Sequence, residues 1–143
     1  MDWVYLFTGV HGRITRQWFW IGFGVLIVVE FVTGQIAQQI QGDKLGSLVG
    51  LALDYPEFAV AVKRANDRNL SAWTVASFFI IDGLWGLIGL MSSDGALAPD
   101  SSIASVLAYV WLAVLAVLIA DLGFRRGTVG PNRFGPDPLD GKV

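Results

Sequence analysis

The side chains able to do chemistry in this sequence are mainly carboxylic acids set in apolar surroundings. Glu30, Asp54, Glu57 and Asp82 each lie inside a long hydrophobic run, and no lysine or arginine shares those runs with them. Asp54 and Glu57 are three residues apart, so on a helix they lie on one face, a pairing that general acid–base chemistry uses. The remaining inventory is thin. The absence of cysteine excludes disulfides, thiolate metal sites and cysteine nucleophiles. His11 is the single histidine, which excludes a multi-histidine metal site. It reads as an interfacial residue, because nothing at a fixed spacing completes a catalytic triad with it. No cofactor or metal is implied, no substrate pocket is visible, and the expectation is a protein that is not an enzyme.

Composition says where these acids sit. Of 143 residues, 54% are hydrophobic and 15% charged, and the mean hydropathy is +0.56. Soluble domains carry about 25% charged residues. Scarce charge, concentrated at a few places, marks a polytopic membrane protein. A formal net charge of −2 gives no reason to expect a nucleic-acid partner.

The elements that would position the acids follow in order. Residues 1–17 hold Trp3, Tyr5 and Phe7 and then Arg13 and Arg16, a composition suited to the membrane interface. Four spans follow, over about 18–38, 45–62, 72–91 and 103–122. The first is too long for a signal-peptide core and is interrupted by Glu30, so it reads as retained. Thr15 and Ser71 are placed to cap the first and third spans. Pro56 interrupts the second, short span. Short polar loops are expected over 41–44 and 92–102, and the Gly/Pro-rich tail 123–143 is expected to be ordered turns and then a loose end. One charged island, Lys63-Arg64-Ala65-Asn66-Asp67-Arg68-Asn69-Leu70-Ser71-Ala72-Trp73, reads as a short loop between the second and third spans.

That island fixes the topology. Arg13 and Arg16 precede the first span, Lys63, Arg64 and Arg68 follow the second, and Arg125, Arg126, Arg133 and Lys142 follow the fourth. All nine fall on one side of a four-span bundle, and the other side keeps only Lys44 beside Asp43, Asp94 and Asp100. Positive residues mark the cytoplasmic side. The expectation is therefore a single all-α integral membrane domain over 1–143, an antiparallel bundle of four transmembrane helices with both termini inside.

Under this topology the acids form one layer. At about 1.5 Å per residue, Glu30 lies about 18 Å into its span, and Asp54 and Asp82 roughly 14 Å into theirs. Glu57 sits nearer the cytoplasmic side. A charge at mid-bilayer costs at least about 2.5–3.5 kcal/mol, so these acids should be neutral, hydrogen-bonded, hydrated or cation-bound. Helical spacing puts small residues beside them: Gly46, Gly50 and Ala61 with Asp54, Gly86 and Gly89 with Asp82. Gly46 and Gly50 have the spacing of a close-packing motif. The fourth span offers Ser105, Tyr109, Ala113, Ala116 and Ala120 as its inward face.

Three stretches resemble the YhaH-like bacterial inner-membrane proteins, a family of unknown function. They are Gly12-Arg13-Ile14-Thr15-Arg16-Gln17-Trp18-Phe19-Trp20, the segment from Pro56 through Trp73, and Gly127-Thr128-Val129-Gly130-Pro131-Asn132-Arg133-Phe134-Gly135-Pro136-Asp137-Pro138. The family's Leu-His pair is Ala65-Asn66 here, and the resemblance leaves the region 85–122 uncovered, where this sequence has one hydrophobic stretch more than many members. The resemblance implies a bacterial inner-membrane location and supplies no activity.

Two functions are open from these residues. Arg13, Arg16, Arg64, Asn66, Asp67, Asn132 and Arg133 would converge on the cytoplasmic face, either as a structural cap or as a surface for anionic lipid headgroups, a protein partner or a second copy. Glu30, Asp54, Glu57 and Asp82 would line a proton or cation path, or else be neutral groups buried in a compact bundle.

Overall fold

The computed structural model describes residues 2–40, 43–91 and 102–140. It is helical, with α1 (Trp3–Thr8), α2 (Arg16–Ile40), α3 (Asp43–Asp67), α4 (Trp73–Met91) and α5 (Ser102–Phe124) in chain order. Asp2 caps α1 by accepting from the Val4 amide at 2.9 Å. Thr15 caps α2 through the Trp18 amide at 3.3 Å, and Ser71 accepts from the Trp73 amide at 3.4 Å at the start of α4. Both caps are where the sequence places them.

Three helices are long and apolar enough to cross a membrane, over Arg16–Ala37, Leu45–Asp67 and Ser105–Phe124, and α4 carries a shorter apolar stretch, Trp73–Trp85. Their hydrophobic side chains point largely outward: Phe31 is 68% exposed and Val117 69%. A surface of this kind is stable against lipid and not against water.

Two expectations change at the helix ends. The charged island is not a loop. Helix α3 runs through it to Asp67, so Lys63, Arg64, Asn66 and Asp67 occupy its last turns, and the connection to α4 is only residues 68–72. The chain continues helically because each of these polar side chains finds a partner within the fold. Pro56 also stays inside the helix. At the other end, α3 starts at Asp43, so only residues 41 and 42 of the expected loop lie outside the helices, beyond the described residues. The second expected loop falls at 92–101, also outside the described residues, and Ser102 already belongs to α5.

Helix α3 is the centre of the bundle, packed against α1, α2 and α4, while α5 leans mostly on α2. The buried core is concentrated at the basic end. Leu6, Ile14, Phe19, Val60, Ala65, Val75 and Leu122 form one cluster there. Burying each such side chain contributes about 1.5–3 kcal/mol. Away from this end the helices leave space between them. Added Cβ atoms at Gly46 and Gly50 would meet nothing within 4 Å, so this pair lines an opening and not a close helix–helix contact. The inward face of α5 also differs from the expected one. Tyr109 is 73% exposed, and the stripe turned inward is Trp111, Leu115, Leu118 and Leu122. The rotation is set at the basic end, where the Leu122 and Gly123 carbonyls accept from Arg64 and Trp20.

The tail is ordered as expected through residue 140. It turns back at an isolated bridge between Asn132 and Gly135, with Gly130 (φ 77°) and Gly135 (φ 138°) in left-handed backbone. Residues 141–143, the expected loose end, lie outside the described residues.

Candidate functional sites: a buried ionic knot and an acidic cavity

Five of the seven residues expected on the basic face meet in one buried knot. Asp67 is its hub. Its Oδ1 accepts from Arg13 Nε at 3.0 Å and its Oδ2 from Arg64 Nη1. Both guanidinium side chains are 1% exposed and the carboxylate side chain 5%. The other donors of the two arginines go to backbone carbonyls. Arg13 reaches Gly130 and Thr128, each at 2.7 Å; Arg64 reaches Leu122 at 2.7 Å and Arg125 at 2.6 Å. A guanidinium presents its donors in a fixed planar fork, which suits it to tying several strands of chain at one point.

The tail closes the knot from below. The Thr128 amide and hydroxyl both donate to the Asp67 carbonyl, at 2.8 and 2.9 Å. Asn132 Nδ2 donates to the Asn66 carbonyl and to Thr128 Oγ1, both at 2.9 Å. Gly127 lies so close to the Asp67 carboxylate that any Cβ there would overlap it. Asn66 donates to the Gly12 carbonyl at 3.0 Å. Its Oδ1 is buried and, among the described residues, has no hydrogen-bond partner within the chain. Asp137 braces the turn by accepting from the Gly130 amide at 2.8 Å and the Leu139 amide at 3.0 Å. These two donors hold its carboxyl below the usual carboxylate range.

Arg16 and Arg133 stand outside the knot. Both are exposed; Arg16 touches the Phe124 carbonyl at 3.2 Å, and Arg133 touches the Asn69 carbonyl at 3.3 Å while covering the Phe134 ring. Lys63 is a residue that sequence reasoning left out. It is fully buried, and its Nζ donates to the carbonyls of Tyr5 (2.8 Å), Leu6 (2.7 Å) and Gly9, so it fastens α1 to α3. Nothing in its spacing separates it from the arginine that follows it. Only the short helix over 3–8, with its carbonyls facing α3, gives it acceptors.

The second assembly lies deeper in the bundle. Glu30, Asp54, Glu57 and Asp82 all line one cavity of about 320 Å³ between α2, α3, α4 and α5. Asp54 reaches across to α4 beside Asp82, its Oδ2 lying 3.7 Å from where a Cβ on Gly83 would stand. Aromatic and aliphatic groups make up the rest of the wall, among them Phe19, Phe23, Phe78 and Trp111, and no lysine or arginine is among its lining residues. Towards the basic end the cavity stops at Phe19, Ala61 and Leu122, just above the knot. In the opposite direction a second cavity of about 430 Å³ shares Ile27, Glu30 and Gly50 with it and continues along Gly34, Gln35 and Gly46. Through these shared residues the two cavities extend from beside the knot towards the far ends of α2 and α3. No group of three or more acid, histidine or cysteine side chains among the described residues is arranged to hold a metal ion.

Residues 7–136 match the family described as "Protein of unknown function (DUF805)". The chain belongs to the DUF805 family. It is similar to the uncharacterized protein YiiR of Escherichia coli (strain K12), 32% identical over 144 residues that cover 99% of this chain and 91% of the relative. It is also similar to the inner membrane protein YhaH of the same organism, 28% identical over 149 residues that cover 96% of this chain and 97% of the relative. No solved structure matches it at a significant level. The match to DUF805 runs through the region 85–122, so the resemblance is not confined to the ends and the middle of the chain.

All three stretches that carry the DUF805 resemblance enter the knot. The first brings Arg13, the second Arg64, Asn66 and Asp67, and the third Gly127, Thr128, Gly130, Asn132, Gly135 and Asp137. Each of these residues makes a bond or a turn that the knot requires. The DUF805 pattern in this chain is therefore the pattern of a closed helical end. Glu30, Asp54 and Asp82 lie outside those stretches and Glu57 falls within the second, and it is the fold that gathers the four.

Proposed function

We propose that this DUF805 chain is a four-span inner-membrane protein, with both termini cytoplasmic, that moves protons or small monovalent cations by way of Glu30, Asp54, Glu57 and Asp82. The observation that carries the proposal is the convergence of four acids from three helices on one cavity whose lining contains no cation to neutralise them. Acids at this depth are expensive for a membrane protein to keep, and a fold that needed only packing would be served by leucine. The topology is supported by the basic residues: Arg13, Arg16, Lys63, Arg64, Arg68, Arg125, Arg126 and Arg133 all gather at the knot end. Such a bias sets the cytoplasmic side. The acid cavity then stops at the knot on the cytoplasmic side and extends towards the periplasmic side. No enzymatic step is part of the proposal.

The test is proton and monovalent-cation flux in proteoliposomes, comparing the native chain with Glu30→Gln/Asp82→Asn. Flux in the native chain that disappears in the double variant supports the path. Equal leak in both, or none in either, sinks it.

A second reading rests on what the knot leaves over. Arg13, Arg64 and Asp67 are occupied by the chain itself, whereas Arg16, Arg125, Arg126 and Arg133 are exposed around the knot. Exposed cations beside an anionic leaflet gain about 1 kcal/mol each. This ring would hold phospholipid headgroups or an acidic partner segment. Removing Arg125 and Arg126 should then lower affinity for anionic vesicles or nanodiscs while leaving flux intact, whereas loss of flux alone on acid substitution favours the path.

A further inference from the structure

A third opening adjoins the acid cavity on the side of α4 and α5. Helices α4 and α5 touch sparingly, and between them runs a groove of about 730 Å³. Its walls are apolar and partly aromatic, with Leu84, Trp85, Leu107, Val110 and Val114 along them. Its volume lies within the roughly 300–1,000 Å³ range of small-molecule sites. Asp82 is its one ionisable lining residue, and Asp82, Phe78, Trp111 and Leu118 belong to the acid cavity as well. The Phe78 and Trp111 rings, with centroids 5.5 Å apart, stand where groove and cavity meet. The groove thus leads from the lipid-facing side of the bundle, between aromatic rings, to the carboxylates.

The geometry points to a binding site for a lipophilic organic cation, an amphipathic amine or quaternary onium, that enters sideways from the bilayer between α4 and α5 and is held by Asp82. Each part of such a ligand has a counterpart. Its apolar body matches the Leu84, Val110 and Val114 walls, and its charge can lie over the faces of Trp85 and Trp111, which attract cations when desolvated. The charge ends at a carboxylate with no competing lysine or arginine in either lining. A lipid acyl chain would fill the walls but has nothing to offer Asp82, and an anionic headgroup would be repelled by it. The site rests on the reading of the acids as a proton or cation path and supplies that path with a substrate class.

The test uses tetraphenylphosphonium as the probe, with the purified full chain in detergent. Titration followed by tryptophan fluorescence and by calorimetry should give saturable binding. Asp82→Asn should lower affinity at least ten-fold, and Ala108→Trp, which fills the groove from the α5 side and leaves every acid in place, should do the same. A neutral triaryl compound of similar size should not compete. Binding that is unchanged in both variants, or matched by the neutral compound, would be partition into the apolar surface and would overturn the site. Acid-dependent flux in proteoliposomes with no tetraphenylphosphonium binding would overturn the site and leave the proton path standing. Absence of both would remove the two together.

Discussion

Asp67→Asn is the sharpest probe of the knot. The substitution keeps the shape of the side chain and one acceptor oxygen, but it removes the charge that Arg13 and Arg64 share. Both guanidiniums stay 99% out of solvent, now with an amide NH₂ facing one of them. Removing one partner of a buried ion pair costs about 3–5 kcal/mol. The helices have other contacts, so the penalty falls on the docking of the tail, whose Thr128 bonds to the same residue's carbonyl. At about 1.4 kcal/mol per factor of ten, the tail should open on the order of a hundred- to a few-thousand-fold more often. Hydrogen exchange reads this directly. The Thr128 and Gly135 amides, both bonded in the closed form, should lose protection by that factor, while amides in the middle of α2 keep theirs. Adding Arg13→Gln lowers the uncompensated charge and should return part of the protection. If Thr128 exchanges in Asp67→Asn within three-fold of the native rate, the carboxylate does not hold the tail, and the electrostatic account of the knot is wrong.

Other outcomes follow from the same geometry. Gly127→Ala should loosen the tail by about 1–3 kcal/mol, the range for overpacking, since the carboxylate it would strike is held by two arginines and cannot yield; thermal unfolding in detergent and Thr128 exchange both report it. Lys63→Met should free α1, because three carbonyls lose their donor, and the Leu6 amide should exchange at least ten-fold faster while the tail stays protected. Asp137 has a folded pKa below its unfolded one, so its contribution to the tail turn is fully present above the unfolded value and is lost as pH falls through the folded one. A carbon-13 titration of its carboxyl should accordingly show a midpoint below the ordinary aspartate value of 3.8, and replacing Leu139 by proline, which removes one amide donor, should move that midpoint up.

Much of this architecture was legible before the structure. Long apolar runs gave the helices because the period and length of a span leave few alternatives, and Thr15 and Ser71 marked two helix starts through the side-chain oxygen a first turn needs. The meeting of Arg13, Arg64, Asp67 and Asn132 followed from charge placement. What the sequence hid were features that depend on distant partners. The island looked like a loop because Lys63, Arg64 and Asp67 are costly to bury; they are helical only because carbonyls of α1, α5 and the tail accept from Lys63 and Arg64, and Asp67 accepts from the guanidiniums of Arg13 and Arg64. The inward stripe of α5 differs from the small-residue face that helical spacing favours, because Arg64 and Trp20 grip the end of the helix and set its rotation. For the acids, depth along each span was readable, but their facing one another required the helix rotations.

The knot also has a place in the life of the chain as it is made. Arg13, Arg64, Asn66 and Asp67 leave the ribosome long before Leu122, Thr128 and Asn132, yet each needs one of those later residues as a partner. Through most of synthesis the early helices therefore carry arginines and an aspartate that must remain hydrated at the membrane surface, and the end of the bundle stays open. Closure is possible only when the last span has been inserted with its C-terminal end on the same side as the first helix begins. A chain cut short before residue 122, or one whose last span is inserted the wrong way round, would leave Arg64 and Asp67 unable to be buried, and so would keep on display a charged, loosely held segment of the sort that membrane proteases engage.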